Sequence, residues 1–145
     1  MPRIKIEAPG KFSFFATIPV RITDINYGGH VGNDTILSIL HEARVQFLDQ
    51  HGYSELNCGG TGLIMSDVAI EFKNELFYGD TILAFVAAAE FSKFAFELYY
   101  KLEKKDGGNK SLIALAKTGM VCYDYSLKKI SILPPAVIQK FTETS

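Results

Sequence analysis

Apolar residues fill every even position from 12 to 22: Phe12, Phe14, Ala16, Ile18, Val20 and Ile22. The odd set includes Lys11, Ser13, Thr17 and Arg21. Period two is the pattern of a half-buried strand. Pro19 inside it places that strand at a sheet edge or a bulge. A glycine-rich loop over 23–32 follows, and then the period changes. Ile36, Ile39, Leu40, Ala43 and Phe47 recur at helical spacing, which predicts a helix over about 34–50. Asn33 or Asp34 supplies its cap, and Gly52 its stop. Leu37 and Leu48 widen the apolar face, so burial on most sides is expected.

Beyond a second glycine-rich loop, 58–62, the pattern is that of strands. They are expected over 63–72, over 81–90 after a Tyr78-Gly79-Asp80 turn, over 93–103 and over 111–125. In the third of these Phe94, Phe96, Leu98, Tyr100 and Leu102 alternate against charged residues. Asp106-Gly107-Gly108 marks a hairpin within 104–109. Pro134-Pro135 opens a short terminal helix. Strand, long helix, four strands and short helix make an α+β architecture. A curved antiparallel sheet wrapped around one central helix accounts for the counts. Such a sheet has open edges that invite a second copy, so a homo-oligomer is expected.

The chain has 145 residues, the size of one domain spanning 1–145. It is 48% hydrophobic and 21% charged, a balance that permits a core without disulfides or metal. A net charge of −1 argues against a nucleic-acid partner and against an anionic membrane surface. Cys58 and Cys122 form no metal or disulfide pattern and are expected to be free thiols. His41 and His51 belong to no metal cluster, and no cofactor is expected. There is no phosphate-binding glycine motif and no G-x-S-x-G nucleophile signature. Residues 1–10 lack the apolar stretch of a signal peptide, and no apolar run approaches a membrane span, so a cytoplasmic location is expected.

The segment Ile22-Thr23-Asp24-Ile25-Asn26-Tyr27-Gly28-Gly29-His30-Val31-Gly32-Asn33 resembles the signature loop of hotdog-fold acyl-CoA thioesterases of the 4-hydroxybenzoyl-CoA thioesterase group. Leu40-His41-Glu42-Ala43-Arg44 is similar to the helix element that follows that loop. Ile70 to Asp80 resembles the family's strand ending at a Gly-Asp turn, and Ile132-Leu133-Pro134-Pro135 its terminal proline. The resemblance covers about 12–141. It implies a homodimer or homotetramer that hydrolyses acyl-CoA, or acyl-carrier-protein, thioesters without metal, at sites on the dimer interface. Where the best-known members carry an aspartate acting as nucleophile or base, this chain has Asn26, which cannot take a proton at neutral pH. Asp24 matches the acid before it, which in the family is supportive.

Thioester hydrolysis requires a stabilised carbonyl oxygen, an activated water and a held substrate. Tyr27, Gly28 and Gly29 lead into a helix start, where backbone N–H groups favour negative charge. Glu42, Asp24 and His30 are the candidates for activating water; a carboxylate, Glu42 or Asp24, is the expected activator, with Asn26, His30 and the glycine-loop amides positioning water and carbonyl. Structural readings stand beside each: Glu42 paired with Arg44 or His41, Asp24 bracing the loop, Asn26 in a left-handed turn position. Lys73, Lys93 and the backbone near Ser92 are candidates for CoA phosphates. Phe94, with Phe91 and Phe96, is a candidate acyl-pocket residue. Two other readings use the same fold: an enoyl-thioester hydratase or dehydratase, and a non-catalytic acyl-thioester binding protein.

Overall fold

A computed structural model describes residues 3–143 of the chain. Strand β1 (Phe14–Pro19) leads through a one-turn 3-10 helix (Ile22–Asp24) to the long helix α1 (Asn33–Gln50). Then come β2 (Gly62–Phe72), β3 (Thr81–Ala89), β4 (Ala95–Asp106), β5 (Asn109–Asp124), a two-residue β6 (Lys129–Ile130) and helix α2 (Pro135–Glu143). The strands form one antiparallel sheet in the order β1-β3-β4-β5-β2, with β6 continuing the line of β4 beside the end of β5. Helix α1 lies across the concave face. This is the α+β hotdog arrangement that the pattern and the resemblance imply. Pro19 sits at the end of an edge strand, where a missing N–H costs the sheet nothing.

Alternation builds the core. Ile82, Ala84 and Val86 of β3, Leu98, Tyr100 and Leu102 of β4, and Ala114, Ala116 and Thr118 of β5 are all fully buried. They face Leu40, Ala43, Phe47 and Leu48 of α1, which are equally shielded. α2 closes one end of the layer: its Phe141 packs on Phe47, with ring centroids 5.1 Å apart, and on Phe96 at 5.5 Å. Residues ahead of β1 cross the convex face. Ile6 is buried and donates its N–H to Glu71 Oε1 on β2 at 3.1 Å. Phe12 meets Phe85 of β3 edge-on, and the Lys101 ammonium lies 4.7 Å from the Phe85 ring centre.

Several expectations are corrected. β1 is shorter than 12–22, because the Asp24 carboxylate accepts the Arg21 N–H and turns the chain after Val20. α1 begins at Asn33, its N-cap is Gly32, and no side chain caps it, so neither Asn33 nor Asp34 plays that part. The helix is not buried on most sides: Leu37 and Val45 are 39% and 44% exposed. The third strand pair runs further than expected. β4 and β5 continue to Asp106 and Asn109, leaving Gly107 and Gly108, both at positive φ, as a two-residue turn. β3 stops at Ala89 because Glu90 takes a left-handed conformation.

One charged network crosses this core. Arg44 is buried on α1 and donates from Nε to Glu55, and from Nη1 to the Tyr100 hydroxyl at 3.2 Å. Tyr100 shares a 2.7 Å hydrogen bond with Thr118, and the Glu55 carboxylate also meets His41 at 3.2 Å. Burial works to raise the Glu55 carboxyl, but hydrogen bonds and charge from Arg44 and His41 outweigh it and hold it below the usual value. Tyr100→Phe leaves Arg44 and Thr118 short of a partner inside the core and is expected to cost about 1–3 kcal/mol in urea unfolding. The Glu55 contribution to stability is complete above the ordinary glutamate value of 4.5 and is lost as pH falls through its lower folded value. Acid titration of unfolding in Glu55→Gln is expected to lack that component.

Candidate active site

The loop before α1 is a small closed hairpin. Ile25 and Val31 pair across it. The Asn26 N–H reaches the His30 carbonyl at 3.0 Å, and the Gly29 N–H reaches the Asn26 carbonyl at 3.1 Å. Gly29 sits at φ +86, which glycine adopts freely. Asn26 accepts the Gly28 N–H on Oδ1 at 2.9 Å, an Asx turn. Its backbone is not among those with positive φ, so the left-handed reading of Asn26 is set aside. The Val31 N–H donates to the Leu76 carbonyl at 2.9 Å and staples the hairpin to the β2–β3 connection. Asn26 Nδ2 lies 3.5 Å from where a Cβ on Gly32 would stand, close to the uncapped first turn of α1.

The residues singled out in the sequence fall into separate places. Asp24 and Glu42 line a cleft of about 330 Å³ between β1 and α1, with Arg21, Ser38 and Gln46. His30 lines another of about 250 Å³, between the start of α1 and residues 72–76, with Asn33, Ile36, Lys73 and Glu75. Asp24 is buried, and both its oxygens are engaged by Arg21, one by the N–H at 2.8 Å and one by the guanidinium at 3.3 Å. Glu42 accepts from the Gln46 amide at 2.7 Å on the solvent-facing flank; the partners of Arg44 and His41 are on Glu55 instead. His30 is half-exposed, with Nε2 3.9 Å from Glu75 Oε1.

The substrate-binding candidates divide as well. Lys73 borders the His30 cleft, but its ammonium sits 2.6 Å from Glu71. The Glu71 carboxyl is held below its usual value by that contact and by the Ile6 N–H. Ser92, Lys93 and Phe94 lie beyond the far end of β3, a nine-residue strand roughly 30 Å long, away from His30. There the Ser92 hydroxyl bonds the Ala95 carbonyl, and Lys93 covers the Phe94 ring. Phe96 is core, packed on Phe141. Tyr27 projects fully into solvent, while Gly28 and Gly29 form the turn beneath it. The two thiols are buried and free. Burial pushes Cys58 up to about 12, with Cys122 adding to it, and burial pushes Cys122 up to about 11, so neither offers a thiolate. No group of three metal-ligating side chains converges among the described residues. None of their helices is long and apolar enough to cross a membrane.

Sequence reasoning passed over Glu75 and Glu55. Both are exposed-looking acids in irregular segments, and only the folded chain brings them to His30 and Arg44.

Comparison with known proteins agrees with the fold. The family model described as thioesterase-like superfamily matches residues 20–141. No curated protein matches the sequence. Among solved structures, a 1,4-dihydroxy-2-naphthoyl-CoA thioesterase from Synechocystis superposes with a TM-score of 0.75 at 24% identity, covering 90% of this chain and 93% of its own. A thioesterase-superfamily protein from Jannaschia sp. CCS1 superposes at 0.82 with 15% identity, covering 94% and 85%. An aspartate-to-asparagine variant of 4-hydroxybenzoyl-CoA thioesterase, in complex with 4-hydroxybenzoyl-CoA, superposes at 0.78 with 15% identity, covering 88% and 97%. At these identities the structures establish the fold, and the family match, spanning most of the chain, establishes the rest: the chain belongs to the thioesterase-like superfamily and is a hotdog-fold thioester hydrolase.

Proposed function

We propose that the protein hydrolyses an acyl-CoA thioester to the free acid and CoA, in the cleft between the start of α1 and residues 72–76. One observation carries this reading: His30 and the uncapped first turn of α1 line the same cleft, and the Asn26 amide, on the backbone-locked hairpin that carries His30, reaches toward that helix start. First-turn N–H groups and the Asn26 Nδ2 donor stabilise the carbonyl oxygen as it gains charge. His30 is the titratable side chain on that hairpin able to take a proton from water. Asn26 then serves as a donor, not as a base. Asp24 braces the turn, and Glu42 faces the β1 side. CoA as the carrier is supported by the structural neighbours named as CoA thioesterases; an acyl-carrier protein is the other carrier compatible with the cleft. A cytoplasmic location, where acyl-CoA is made and used, fits this chemistry.

The protein is proposed to work as a homodimer joined through the β2 edge. β2 is an eleven-residue strand paired on one side only. It leaves Ile64, Met65, Val68 and Phe72 between 37% and 47% exposed. Antiparallel pairing of two such edges sets the far end of one sheet beside the near end of the other. That brings a second copy's Ser92–Phe94 turn toward the His30 cleft, which gives those residues a route to the CoA that one chain alone does not offer.

Free-thiol release from a panel of short, long and aromatic acyl-CoAs tests the reaction. Turnover above the blank is expected, with His30→Gln and Asn26→Ala each lowering kcat/KM about a hundredfold or more, and Glu42→Gln staying within about twofold. A loss in Glu42→Gln with His30→Gln unaffected moves the base to the β1 side. Tight acyl-CoA binding without thiol release leaves a binding protein. Light scattering tests the assembly: a dimer is expected for the native chain, and a monomer of much reduced activity for Val68→Asp, which sets like charges at the centre of the shared edge.

A further inference from the structure

We propose that Glu75 is the positioning residue for the His30 imidazole, holding its Nε2–H so that Nδ1 is the nitrogen that accepts the proton of water. The inference rests on the hydrolytic reading above and assigns the geometry of its base. Glu75 Oε1 lies 3.9 Å from His30 Nε2, a separation that closes to a hydrogen bond with a small change of side-chain torsion. Backbone bonds hold the two residues in place. The His30 carbonyl accepts the Asn26 N–H, and Val31, the next residue, donates to the carbonyl of Leu76, which directly follows Glu75 and is buried. The backbones of the two residues are therefore held side by side, with the carboxylate within reach of the ring.

The other side of the ring is left open. A Cβ on Gly28 would stand 3.6 Å from His30 Nδ1 and 3.4 Å from Cε1. A side chain at position 28 would crowd the Cε1–Nδ1 edge of the ring, which glycine keeps clear. In a neutral imidazole one nitrogen donates and the other accepts. A carboxylate at Nε2 selects the Nε2–H form, which places the lone pair on Nδ1. The step then balances. The water oxygen bonds to the thioester carbon as its proton passes to Nδ1. The C–S bond breaks with its electron pair going to sulfur, and sulfur takes that proton back, leaving acid, thiol and neutral imidazole.

Other charged groups around the ring are committed elsewhere. Lys73, on the same connection, is held by Glu71 at 2.6 Å. Asp34, at the helix start, turns Oδ1 over Gly32. Lys104 reaches the Glu75 carbonyl at 3.4 Å and the Asp80 carboxylate at 3.2 Å.

The test uses Glu75→Gln and Glu75→Asp, each in the native and His30→Gln backgrounds, in the thiol-release assay. Side-chain ¹⁵N spectra of the three histidines run beside it. Expected are a fall in kcat of about a hundredfold in Glu75→Gln with KM within about twofold, substantial recovery in Glu75→Asp, and no further loss in the His30→Gln background. The His30 nitrogen resonances are expected to move toward a mixture of tautomers in Glu75→Gln while those of His41 and His51 stay put. An active native enzyme with unchanged kcat in Glu75→Gln overturns the proposal. So does an equal loss in both backgrounds. Should the native protein release no thiol, the hydrolytic reading fails by itself, and the spectra still decide: unmoved His30 resonances overturn Glu75 as its partner, and a tautomer change upholds it.

Discussion

The rotation of α1 about its own axis decides what each cleft contains. Leu40, Ala43, Phe47 and Leu48 form the stripe pressed onto the sheet, and each is at most 2% exposed. Turning the helix would pull these side chains from a close-packed layer, at several kcal/mol for each large residue withdrawn. Arg44 fixes the same angle by a second means. Its guanidinium is threaded between Glu55 and the Tyr100 hydroxyl, and turning the helix would break both bonds. With that angle set, Glu42 and Gln46 are carried to the β1 side, and Asn33 and Ile36 to the His30 side. At 3.6 residues per turn, six positions from Ile36 to Glu42 amount to roughly 240° of rotation.

The site depends on backbone more than on side chains. Its hairpin is closed by main-chain bonds at 3.0 and 3.1 Å and is tied to the β2–β3 connection by another at 2.9 Å. Such bonds survive most substitutions, which leaves the His30 side chain without a part in closing the hairpin. An asparagine in place of an acid fits this frame. Asn26 keeps the acceptor that holds the Gly28 N–H and adds a donor near the helix start, where a carboxylate would bring a second acceptor instead. Neutral Asn26 also spares the nearby Asp34 a like charge at close range.

Much of the fold was legible in the chain. Period-two runs and one period-3.6 run gave the elements and their order, and Pro19 marked the edge. What escaped were features set by tertiary contact. The end of β1 depends on where Asp24 accepts a hydrogen bond, and the two-residue turn between β4 and β5 depends on cross-strand register. The exposed flank of α1 shows that an apolar side chain such as Leu37 can belong to no core within its own chain. The site was legible as a loop but not as an arrangement. Asp24, Asn26, His30 and Glu42 lie within 19 positions of one another in sequence, yet a helix separates the first and last of them from His30. Glu75, 45 positions from His30, lies in the Ile70–Asp80 segment with nothing there to single it out, and comes near His30 because Val31 is stapled to Leu76.

In the proposed site, the bare start of α1 would couple folding to occupancy. A serine, threonine or aspartate cap commonly strengthens a helix by about 1 kcal/mol, and at position 32 this chain has glycine with no such bond. Gly32 is also where an added Cβ would fall 2.6 Å from Asp34 Oδ1, so a larger cap would have to displace that side chain. An acyl oxygen resting on the first-turn amides, as proposed above, would supply the acceptor that a cap would have supplied. Ligand arrival and completion of the helix would then be one event, with rigidity gained at the moment when a reacting group must be held still.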